Sequence, residues 1–258
     1  MSDKKQLAGV QPIVHTPFTD GAAIDESSLR RQLDWAFDTG ADGCGTGMVS
    51  EILRLTTAER TRLSSRKSST AVDPSLPASA RRVLHKPSRG PRKPKLPVMT
   101  RSWPFRQRSR DCQSRRCFDY FIALAEATDL PLIVQDASAY VGQAIPLDVL
   151  VKLLDQFGPD KIQFKPEAAP LGPNLSALRD ATDGRAKIFE GSGGILLIDS
   201  FRRGITGTMP GMDLLDGIIE VWHSLQSDND ERAYEVYFPI CALTALQMQA
   251  GLDGLLAI

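Results

Sequence analysis

The 258 residues hold 31 Lys and Arg against 31 Asp and Glu, a formal net charge of zero, and the length suits one large domain with a sizeable core. The zero conceals two unlike parts. From Arg62 to Cys117 there are 16 basic residues and 2 acids, against 15 basic and 29 acidic residues elsewhere, so any argument from charge must treat the parts separately. No apolar run approaches the roughly 18 residues that a spanning helix needs. The N-terminus leads into no long apolar stretch, so a reducing cytoplasm is the expected compartment. Cys44, Cys112, Cys117 and Cys241 form no CxxC pair. His15, His85 and His223 form no HxH or HxxxH pair, so no histidine metal site is expected.

In chain order, Gly9 to Phe18 reads as a buried strand, and Thr19-Asp20-Gly21 has turn chemistry. Asp25 is a good N-cap for a helix from about Glu26 to Asp38, with Leu29, Leu33 and Phe37 on one face. A short glycine-rich strand follows over Gly43 to Val49, then a loop through Glu51, and a helix capped by Thr56 or Thr57. From Arg62 to Cys117 this grammar stops. Ten Ser and seven Pro accompany the basic residues, and proline recurs too often for an element to persist. Order resumes at Phe118. A helix over Asp119 to Ala127 is followed by a buried strand over Pro131 to Gln135 and an amphipathic helix over Leu147 to Phe157. Beyond the strand at Lys161 to Lys165 lie a helix around Asn174 to Thr182 and a strand over Ala186 to Glu190. That strand opens on Gly191-Ser192-Gly193-Gly194. A short helix over Ile195 to Arg203, a strand over Ile205 to Met209, and long helices over Leu214 to Gln226 and Asp230 to Ala250 complete the pattern. Strands alternating with helices imply an α/β protein with a parallel sheet. Six strands are legible, and two further strand–helix units would fit the length of the odd segment, giving the eight of a TIM barrel.

The stretch with most chemical content is Lys161-Ile162-Gln163-Phe164-Lys165-Pro166-Glu167. Ile162 and Phe164 alternate with Gln163 and Lys165, and Pro166 ends the strand. If the apolar side meets a helix layer, Lys165 points inward at a strand's C-terminal end, where barrel catalytic residues sit. A lysine in a dry pocket can attack a carbonyl. A solvated lysine at a strand end is the plainer alternative.

Several motifs in order resemble the dihydrodipicolinate synthase/N-acetylneuraminate lyase family, Schiff-base aldolases and lyases built on TIM barrels. Pro12-Ile13-Val14-His15-Thr16-Pro17-Phe18 with Gly21 and Ile24-Asp25 looks like that family's first strand and turn. Gly40 to Gly43, then Gly47-Met48-Val49-Ser50-Glu51 and Leu55-Thr56 with Glu59-Arg60, looks like its GTTGE region. Lys165 falls where the family has its Schiff-base lysine, followed closely by an acid. Gly191 to Gly194 and Gly204 to Pro210 are similar to its last two barrel strands. The resemblance spans Gly9 to Arg60 and Phe118 to Gly251, roughly three-quarters of the chain.

The departures are equally specific. Met48 and Val49 stand where the family has its paired threonines, and Gln135-Asp136-Ala137-Ser138 where it has a catalytic tyrosine. An amide cannot serve as a general acid or base near neutral pH. Tyr140 falls near the synthases' carboxylate-recognising arginine. Lysine biosynthesis and sialic acid cleavage are therefore not implied.

The segment 62–117 has about the length of the elements it replaces, as a compensated pair of frameshifts in a GC-rich gene would produce. The alternative is a basic insert that binds nucleic acid. Only Trp103 and Phe105 could stack on bases and no groove-reading motif is present, so nucleic acid is not the expected partner.

The expected fold is α/β, a TIM (β/α)8 barrel with C-terminal helices and a disrupted third and fourth strand region. Residues 1–61 would form barrel units one and two, and 118–258 units five to eight with truncated C-terminal helices. The resemblance implies a class I lyase on a pyruvate-like 2-oxo acid, with Lys165 catalytic and no cofactor or metal. Gln135, Asp136, Gly191, Ser192, Gly193, Thr208 and Met209 are the expected substrate contacts. Glu51 reads as a structural acid. A homodimer or homotetramer is expected from the resemblance, and no membrane association. The competing expectation is an inactive remnant or binding protein whose barrel cannot close.

Overall fold

The computed structural model describes residues 7–46, 55–56, 58–59, 98–100, 110–138 and 144–250. Met48, Val49, Glu51 and Tyr140 lie outside the described residues, as do 62–97 and 101–109. The chain divides into two compact units. One comprises residues 1–94, 193–195 and 208–258, the other 95–192 and 196–207.

In the first unit, β1 (Gly9–Val10) is shorter than the strand expected through Phe18. Pro12 and Pro17 lack the N–H that a ladder needs, so pairing beyond β1 is reduced to single bridges, parallel at Ile13 with Gly45 and antiparallel at Phe18 with Ile24. Helix α1 (Glu26–Thr39) starts where expected. Asp25 accepts from the amides of Ser27 and Ser28 and from both hydroxyls. These donors, led by the Ser28 hydroxyl, hold its carboxyl well below the usual carboxylate range. The helix ends at Gly40, whose φ of 113° favours glycine. Leu29, Leu33 and Ala36 form the buried stripe. Thr56 and Glu59 make a reciprocal capping box, with Glu59 Oε2 2.7 Å from both the Thr56 amide and its hydroxyl.

The second unit is built on a parallel three-stranded sheet, β2 (Val98–Thr100), β3 (Leu132–Asp136) and β4 (Ile162–Pro166), in that spatial order. Val98 pairs with Leu132 and Leu132 with Ile162. The parallel edge continues through Ile188 beside Phe164, and the Thr206 amide bonds the Ile188 carbonyl at 2.7 Å. Helices α2 (Arg110–Glu126), α3 (Leu147–Phe157), α4 (Leu171–Ala181) and α5 (Leu197–Arg202) intervene. This is the β–α alternation read from the sequence.

Two elements fall where no period was legible. Strand β2 and the first turns of α2 lie within 62–117, so α2 begins before Phe118. Its buried stripe is Cys117, Phe121 and Ala125, spaced by four, with Arg115 and Arg116 exposed. The core on the helix side contains Phe121, Leu132, Val134, Leu153, Ile162, Phe164, Leu175 and Ile188.

After β5 (Phe189–Glu190), the chain returns to the first unit through Thr208, which completes β6 (Gly207–Thr208). It continues into α6 (Leu215–Gln226) and α7 (Asp230–Gln247). These two helices pack on each other, and Asn229 caps α7 by accepting from the Arg232 amide. A 3-10 turn, Met248–Ala250, ends the described chain. The described architecture is α/β with C-terminal helices. Among the described residues no helix is long and apolar enough to cross a membrane.

Candidate active site

Register places the chemistry. On β3 and β4 the pairs Leu132–Ile162 and Val134–Phe164 lie in the helix-side core. The intervening pairs, Ile133–Gln163 and Gln135–Lys165, therefore project from the opposite face, because side chains alternate along a strand. Lys165 is buried, with 5% of its surface exposed, at the C-terminal end of β4. Beyond the strand the Glu167 amide bonds the Asp136 carbonyl at 2.9 Å, extending the ladder by one step.

Spacing of two residues brings Glu167 onto the lysine's side. Lys165 Nζ lies 3.2 Å from Glu167 Oε1, and both side chains are more than nine-tenths buried. The other carboxylate oxygen accepts a short hydrogen bond from Gln135 Nε2. The three side chains form a buried chain, amine to carboxylate to amide. Such a pair is retained at a desolvation cost and needs its hydrogen bonds. Gly191 makes room for it: a Cβ there would overlap both Lys165 Cε and Glu167 Oε1. The expected site residues Lys165, Gln135 and Gly191 thus converge.

Glu167 is the residue that the sequence pattern left without a role, although a Lys-x-Glu spacing on a strand places both ends on one face. Gln163, also on that face, has an Oε1 that is buried with no hydrogen-bond partner.

The other expected contacts are occupied structurally. Asp136 accepts from the Ser138 amide at 3.0 Å and from the Ile145 amide at 2.8 Å, one bond to each oxygen. The Ser192 amide bonds Glu190 Oε1, and the Ser192 hydroxyl accepts from the Leu196 amide at 2.9 Å. Gly193 belongs to the first unit, where its carbonyl accepts from Thr244 Oγ1 at 3.4 Å. In that unit the Tyr237 hydroxyl holds the Ile195 carbonyl, and a Cβ on Gly194 would overlap Ile218. Thr208 and Met209 are buried in the same unit, and the Thr208 carbonyl accepts from the Gln11 amide at 2.9 Å. Among the described residues no group of three or more His, Cys, Asp or Glu is arranged to hold a metal ion.

No protein-family model matches the chain. It is 26% identical over 244 residues to an L-2-keto-3-deoxyarabonate dehydratase of Azospirillum brasilense, covering 90% of this chain and 78% of that protein. Among solved structures it is similar to dihydrodipicolinate synthase from Rhodopseudomonas palustris, with a TM-score of 0.76 and 22% identity over 95% of this chain and 83% of that one. It is similar also to YagE from E. coli K12, a prophage protein of the dihydrodipicolinic acid synthase family solved with pyruvate. There the TM-score is 0.76, with 14% identity over 96% of this chain and 86% of that one. The resemblance carried by the motifs is borne out: the structural neighbours of this chain are dihydrodipicolinate synthase family proteins.

Proposed function

We propose that this chain is a lysine Schiff-base lyase that breaks a carbon–oxygen bond in a pyruvate-like 2-oxo acid, working from the mouth of a (β/α)8 barrel. The observation that carries this reading is a buried amine, Lys165, at the C-terminal end of a parallel strand, with the Glu167 carboxylate 3.2 Å away. Likeness to a dehydratase and to a family member solved with pyruvate supports it and favours elimination over aldol cleavage. The preferred substrate class is therefore a 3-deoxy-2-oxo sugar acid.

The Lys165 amine attacks the 2-oxo carbon, water leaves, and a protonated imine forms. That iminium accepts the electron pair released when a proton is lost from the neighbouring carbon, giving an enamine. The enamine's electrons then expel the hydroxyl group one carbon further on, which departs as water once protonated. Gln135 and the Gly191 backbone are the groups proposed to meet the substrate beside the lysine.

Incubation of the folded chain with pyruvate and borohydride is expected to give a stable mass increase at Lys165, absent in Lys165→Met. A folded wild-type sample with no adduct would remove this reading.

A further inference from the structure

We propose that Glu167 carries the proton in the lysine's reaction, with Gln135 as the positioning residue that holds its carboxylate; this rests on the Schiff-base reading of Lys165. The residues aligned with the family's proton carriers cannot do this work. Met48 and Val49 hold no exchangeable side-chain proton, and Gln135 is an amide. Among the described acids of this unit, Asp136 has a backbone amide on each carboxylate oxygen. Glu190, buried beside Gly191, has Oε1 occupied by the Ser192 amide. Asp148, Asp155, Asp160, Asp180 and Asp199 are paired with other Lys and Arg side chains that are exposed or half-buried.

Glu167 alone of these carboxylates touches Lys165 Nζ. Once that nitrogen is part of an imine, the proton to be removed sits on a carbon two bonds from it, within reach of an oxygen that now lies 3.2 Å from the amine. The second oxygen is steered by Gln135 Nε2. The step balances. Glu167 takes the C3 proton, the C3–H electron pair becomes the enamine double bond, and the C=N pair moves onto the Lys165 nitrogen. Glu167 then returns the proton to the departing hydroxyl group, which leaves as water. No oxidant, reductant or further reactant is required. The bare glycine at 191 fits this assignment, because any side chain there would occupy the carboxylate's position.

The test separates imine formation from proton transfer, using the full-length chain with pyruvate in D2O. Wild type is expected to trap pyruvate at Lys165 under borohydride and to wash the pyruvate methyl protons into solvent. Glu167→Gln should still be trapped while losing methyl exchange by a hundredfold or more, on the order of a lost general base. Glu167→Asp should recover part of the exchange, and formate should restore part of it to Glu167→Ala, which a purely structural role would not allow. Gln135→Leu should slow exchange by roughly tenfold, because the Glu167 carboxylate loses the amide that holds it. Wild-type exchange in a folded, trappable Glu167→Gln overturns the assignment. A wild-type chain that traps no pyruvate removes the Schiff-base reading, and this assignment with it.

Discussion

The two faces of the β3–β4 pair differ in almost every physical respect, though the same ten residues build both. Toward the helices, Leu132, Val134, Ile162 and Phe164 are buried among apolar side chains of α2, α3 and α4. Burial there needs no partner beyond shape, and each side chain contributes on the order of 1.5–3 kcal/mol. On the other face, Gln135, Gln163 and Lys165 are equally buried but polar. Their burial costs free energy unless each group finds a partner. Lys165 and Gln135 find one in Glu167, whereas Gln163 Oε1 finds none. One face supplies stability, and the other spends part of it to keep a charged pair and two amides buried.

The contrast can be broken most severely from the apolar side. Phe164→Ala is expected to cost about 3–5 kcal/mol, the usual range for a fully buried aromatic. Urea unfolding should show it as a lowered midpoint. A loss below about 1 kcal/mol would mean that this face is not the core described.

A second test uses a titratable group on the apolar side. The Cys117 thiol is pushed up to about 12 from an ordinary 9.0, chiefly by burial and further by the nearby carboxylates of Asp136 and Asp148. Below pH 9 the thiol is protonated whether the chain is folded or not, so it adds no pH dependence there. Between about 9 and 12 the unfolded thiol ionises and the folded one does not. Stability should therefore fall as pH rises, by about 1.4 kcal/mol per unit. Melting curves from pH 8 to 10.5 should show this slope in wild type and a shallower one in Cys117→Ala. Equal slopes would disprove the assignment.

The smallest expected effect lies on the polar face. Gln163→Met removes an acceptor that lacks a partner and keeps the volume, so stability should rise by about 1 kcal/mol. A marked loss instead would show that the amide oxygen is satisfied in solution, as by an internal water.

Much of this arrangement is legible in the order of the residues. The alternation in Ile162 to Lys165 places the lysine on the face away from the apolar residues, because a strand's period leaves no other choice. Asp25, Gly40 and a threonine cap at Thr56 or Thr57 are readable as helix boundaries because capping is local chemistry. The extent of β1 is not. Its prolines weaken pairing, and that depends on which neighbours arrive. Strand β2 and the start of α2 are hidden by a composition with no period, and only pairing with β3 and packing around Phe121 reveal them.

Residue types and spacings are thus sufficient for the α/β class, the inward face of Lys165 and the family likeness, since periodicity and motif order are properties of the chain itself. The partner of that lysine is decided by tertiary structure. Glu167 faces Lys165 by strand spacing, but its meeting with Gln135 requires that β3 and β4 pair in this register, and its room requires Gly191 alongside. The same is true of Asp136, whose carboxylate accepts from the amides of Ser138 and Ile145. A side chain's type fixes what it can do, and the groups that fold around it decide which of those things it does.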